Sequence, residues 1–137
     1  MTELDYVEQL KARFRECSLD KRIEAAHRAA LRGFVPVNLN ANQDVSETAV
    51  FPRGRLLLHS IVYAHFRCAE SKLALERSIS TIDKYNLLLQ DSAMHSVAQA
   101  SYSRSSDKAW QTISMVATSF ASAANQEQFL FAKTKRD

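Results

Sequence analysis

His65 and Cys68 stand three residues apart, a spacing that puts both on one side of a helix, where an imidazole and a thiolate could share a metal ion. The remaining ligands are missing. No C-x-x-C, no H-x-x-x-H and no two E-x-x-H pairs of the kind a di-iron bundle uses occur in the 137 residues. The plainer expectation is that Cys68 packs in a helical seam as a small apolar side chain, with His65 flanking it. Four histidines (His27, His59, His65, His95) and many serines supply the parts of a hydrolytic triad, but a triad is defined by geometry, and no G-x-S-x-G elbow is present. No catalytic, cofactor-binding or metal-ligating residue is therefore assigned, and the chain is expected not to be an enzyme.

Cations offer a different chemistry. Arg53, Arg55, Arg67, Lys72, Arg77 and Lys84 fall on one helical run, and at 100° per residue Arg55, Arg77 and Lys84 lie within about 40° of one another. Glu70 and Asp91 fall in the same sector, so a solvated face of mixed charge is the first reading. The alternative is a basic helical RNA- or DNA-binding protein that grips the phosphate backbone through Arg53, Arg55, Arg67, Arg77 and Lys84. The net charge of +3 permits an anionic partner without requiring one.

The elements that must position these residues are helices. Two glycines and two prolines in the whole chain leave the tight turns of a β-rich fold without their usual residues. Val7, Leu10, Phe14 and Cys17 step by three and four; a break is expected near Ser18, after which Ile23, Ala26 and Ala30 start a second stripe that ends at Arg32-Gly33. Glu24 and Arg28 are placed to pair on the outer face. Residues 34–51 carry no basic residue and read as a linker.

From Pro52, suited to a first helical turn, apolar positions recur through Leu58, Ile61, Cys68, Leu75, Ile79, Ile82, Leu89, Ala93 and Val97. An unbroken helix to about 102 would span roughly 75 Å, so it either breaks near Gln90–Ser92 or belongs to an elongated assembly. A turn at 101–106 leads to a last helix with Trp110, Ile113, Ala117, Phe120, Ala124, Glu127 and Phe131 in heptad spacing. The expected fold is an all-α, elongated helical bundle. An antiparallel hairpin of two long helices (about 52–102 and 106–132) forms it, the N-terminal helices of 1–33 pack against it, and 133–137 is a basic tail.

Apolar residues on more than one face point to self-association, with Leu75, Ile79, Ile82, Asn86, Leu89, Trp110, Ile113, Phe120 and Phe131 as the oligomer or core seam. Asn86, a polar residue within that series, either fixes register or is turned outward near a helix break. Between Ser92 and Ala124, 17 of 33 residues are Ser or Ala, which lets helices approach closely. With two cysteines, no signal-peptide pattern and no apolar stretch of membrane-spanning length, a cytoplasmic protein of its own cell or of a host is expected. The functional expectation is a self-associating structural or adaptor protein, such as a scaffold, capsid-like or secretion-apparatus component. Its partners would be copies of itself or another protein, with nucleic acid compatible.

Overall fold

Side-chain caps set the first helix boundaries. The computed structural model describes residues 3–34, 47–84 and 92–120, and every regular element among them is a helix. Helix α1 (Glu3–Arg15) ends where Ser18 takes an extended backbone and its Oγ accepts from the Lys21 N–H at 3.4 Å, starting α2 (Leu19–Arg32). Arg22 locks that corner: its guanidinium donates to the carbonyls of Phe14 (3.1 Å) and Arg15 (2.8 Å) and to Ser106 Oγ (3.0 Å), and lies 5.1 Å from the Phe14 ring centre. The expected stripe is in place, with Ile23, Ala26 and Ala30 buried, and Arg28 pairs with Glu24 at 2.8 Å. Gly33 closes α2 through its N–H to Ala29 O at 2.8 Å. Its backbone is not left-handed; a Cβ there would lie 2.4 Å from Val116 Cγ1, so the glycine is required by close packing of α2 on the last helix.

The run from Pro52 departs from expectation. Helix α3 (Glu47–His65) starts before Pro52, which therefore lies inside the helix, and residues 47–51 of the expected linker are helical. Residues 35–46 lie outside the described residues. The chain then turns at 66–68, so the expected continuous 52–102 helix is in fact three: α3, α4 (Ala69–Lys84) and α5 (Ala93–Ser103). The turn contains no glycine or proline. Ser71 holds it, bonding to the Phe66 carbonyl and accepting from the Cys68 N–H at 3.2 Å. Arg67 adds a long-range tie, donating to Ser101 O at 3.1 Å and lying 4.9 Å from the Tyr63 ring centre. Leu58 and Cys68 are not in the seam: Leu58 is exposed because the buried side of α3 runs through Leu56, Leu57, Ser60 and Tyr63, and Cys68 is exposed in the turn itself. The break expected near Ser92 is there as an N-cap, Ser92 Oγ accepting from His95 N–H at 3.2 Å.

Helix α5 ends on Arg104 in the left-handed region (φ 53°), with its side chain donating to Asp20 Oδ1 at 2.6 Å. Helix α6 covers 106–120. Its buried line runs through Ala109, Thr112, Val116 and Ala117, while Trp110 and Ile113 are half-buried at its flank and Phe120 is 46% exposed. The expected seam was therefore off by about one position, and Phe120 is not core. Short side chains let α6 approach its neighbours, and the aromatic residues pack at the margin, Trp110 with its ring centre 5.4 Å from that of Phe14.

Two apolar clusters share α3 and α5. One joins Ala26, Ala30, Leu57, Met94, Val97, Ala109 and Val116; the other joins Leu56, Tyr63, Leu75, Ile82 and Ala98. Leu75 and Ile82 are thus core, with Ile79 packed against them. Asn86, Leu89, Phe131 and the 133–137 tail lie outside the described residues.

Candidate functional site

The fold separates most of the chemistry-bearing residues. His65 ends α3 and Cys68 sits in the following turn, so the two no longer share a helix face. No group of three His, Cys, Asp or Glu side chains among the described residues could hold a metal ion. The Cys68 thiol is exposed, and its hydrogen bonds with Ser71 lower its pKa.

Two histidine–serine pairs form that spacing alone does not reveal. His27, buried on α2, joins its Nε2 to Ser101 Oγ at 2.6 Å across to α5. Burial first, then the charge of His65, whose ring centre is 6.3 Å away, push the His27 imidazole down to about 4. Its Nδ1 is buried with no hydrogen-bond partner, so no carboxylate orients the ring as a triad requires. Glu24 and His27 also form a single E-x-x-H pair, one turn apart on α2; the second pair that a di-iron centre needs does not exist in the chain. The other pair is His59 Nδ1 with Ser78 Oγ, between α3 and α4.

The five cations proposed for phosphate contact scatter. Arg53 is 3% exposed and faces the interior. Arg67 is engaged by Tyr63 and the Ser101 carbonyl. Arg55 and Arg77 flank one cleft between α3 and α4, and Lys84 is exposed at the end of α4. They do not line up as one track.

The feature the sequence reading missed is on the outside of α3. Phe51 (64% exposed), Leu58 (57%), Val62 (37%) and Phe66 (70%) follow steps of seven, four and four, which places them within about 80° on one face. Phe66 follows the last residue of α3, and its N–H still bonds to Val62 O at 2.7 Å, prolonging the turn. The opposite face carries Leu56, Leu57, Ser60 and Tyr63, all buried. Helix α3 is thus apolar on two sides, with one side filled by the bundle and the other open to water. The signal in the sequence is the spacing of Leu58 and Val62, of which the expected seam includes Leu58 alone and assigns it to the buried side.

A second apolar surface, of about 370 Å³, lies where α1, α2 and α6 meet: Leu10, Phe14, Ile113 and Phe120 line it, and Arg13 and Arg32 border it. No helix among the described residues is long and apolar enough to cross a membrane. No protein-family model matches the chain, nor does any curated protein or solved structure.

Proposed function

We propose that the chain is a non-enzymatic, self-associating helical protein of structural or adaptor type, and that the outer face of α3 is its association surface. The observation that carries this reading is the stripe of Phe51, Leu58, Val62 and Phe66 on a helix whose other face is already buried. Isolated exposed apolar residues are ordinary; four large ones aligned on one helix are the signature of an interaction surface.

The stripe suits a second copy of itself. It has an aromatic residue at each end, with Leu58, Val62 and the exposed Arg55 in the sector between. An antiparallel two-fold pairing of α3 with its counterpart sets Phe51 near Phe66 at both ends and Leu58 near its own equivalent, as an isologous interface demands. The energetics favour a reversible contact. Four partly exposed side chains per copy, each gaining about 1 kcal/mol on full burial, give a gross gain of the same order as the cost of association. Weak, readily reversible association is the expected outcome.

Light scattering coupled to size exclusion across a concentration series tests this. The wild-type chain is expected to shift from monomer to a discrete oligomer as concentration rises, and Leu58→Glu is expected to stay monomeric with an unchanged far-UV spectrum, because the side chain it replaces is exposed. A wild type that remains monomeric at hundreds of micromolar, or a Leu58→Glu variant that still associates, would overturn the assignment.

A further inference from the structure

Between α3 and α4 lies a cleft of about 280 Å³, flanked by Arg55 from one helix and Arg77 from the other. The hydroxyls of Ser78 and Thr81 and the imidazole of His59 line it as well. Helical spacing gathers these groups: Arg55 and His59 are one turn apart on α3, as are Arg77 and Thr81 on α4. Among the described residues, no Asp or Glu lines the cleft and neither guanidinium has a carboxylate within ion-pair distance. Two cations therefore flank a concave site in which, among the described residues, no carboxylate is placed.

We propose that this cleft binds a small phosphomonoester, its phosphoryl group held between the guanidiniums of Arg55 and Arg77 and its organic part against Pro52 and Ala74. A guanidinium presents a planar fork of donors that matches a phosphoryl group, and two from different helices clamp it from two sides. Ser78 and Thr81 supply hydroxyls at the same wall, although Thr81 Oγ1 donates to Arg77 O at 2.9 Å and is therefore available there as an acceptor or by rotation. His59 Nδ1 is joined to Ser78 Oγ. Burial, then the charge of Arg55, lower the His59 pKa, partly opposed by its bond to the Ala74 backbone, so the cleft's positive charge at neutral pH resides on the two arginines.

The ligand is a single phosphoryl group and not a nucleic-acid backbone because the neighbouring cations do not extend the cleft. Arg53 is buried, Arg67 is held by Tyr63 and Ser101, and Lys84, about two turns beyond Arg77 on α4, does not line the cleft. The cleft borders the association face, because Arg55 falls within the angular sector of the apolar stripe, but its readout, ligand titration, is separate from oligomeric state.

The test is calorimetric and NMR titration of the full chain with inorganic phosphate and with glycerol phosphate, against sodium chloride at matched ionic strength. Saturable one-site binding is expected, with the His59 ring resonances moving and the His59 pKa rising as the bound dianion offsets Arg55. Arg55→Gln and Arg77→Gln are each expected to weaken binding roughly tenfold or more, with Arg77→Lys falling between Arg77→Gln and wild type. Both side chains are exposed, so the variants should keep the wild-type far-UV spectrum. A response no different from chloride, or one unchanged in the Arg55→Gln/Arg77→Gln double variant, overturns the proposal. So does an oligothymidine series whose affinity rises with length while glycerol phosphate fails to bind.

Discussion

His27 is a neutral base enclosed by the fold, and that makes the stability of the whole protein sensitive to acid. Its pKa of about 4 in the folded state lies below the ordinary 6.5 of an unfolded chain. As pH falls through 6.5, the unfolded chain takes up a proton that the folded chain refuses until pH approaches 4. Stability therefore declines across that window and the loss levels off below it, reaching about 3 kcal/mol in full. His59, lowered for related reasons, acts in the same direction. Urea melts between pH 7 and pH 4 should show this slope, and His27→Gln should flatten it whatever its own cost at pH 7. The histidine itself was plain in the sequence; its partner Ser101 was not, because 74 residues separate them and only the packing of α2 on α5 brings them together. Arg53 makes the same point in reverse. Its charge argued for a solvated position, and only the bundle reveals that it faces inward.

At the scale of elements, boundaries written by local chemistry were legible and those written by distant contacts were not. Ser18, Gly33 and Ser92 each satisfy orphaned backbone groups within a turn of themselves, so residue type alone located them. The turn at 66–68 relies on Ser71 and on Arg67 reaching Ser101, and it lacks both helix-breaking residues. Arg104 adopts the conformation that usually calls for glycine, so it too carried no local mark. For α6 the period was legible and the phase was not: the alternation of three and four holds, yet Ala109, Thr112 and Val116 face inward where larger neighbours had been expected. Gly33 tests how close that contact is. Gly33→Ala would improve helix propensity, but its methyl group would meet the stiff side chain of Val116, and overpacking of this kind costs about 1–3 kcal/mol. A lowered thermal midpoint is expected, restored in part by Val116→Ala in the same chain.

For the whole molecule, the position of α5 sets how the fold comes apart. Ala93, Met94, Ser96, Val97, Ala98, Ala100 and Ser101 are all buried, and α2, α3 and α4 each pack against this helix. No described side chain of α1 is fully buried, by contrast. The amide protons of α5 should therefore be the last to exchange with deuterium, and they should do so only when the entire bundle opens, whereas those of α1 exchange through local fraying. Their rate would serve as an internal gauge of global unfolding free energy, readable under native conditions without denaturant. If the α5 amides instead exchange as fast as those of α1, the bundle opens from its centre by a route that leaves its outer helices paired.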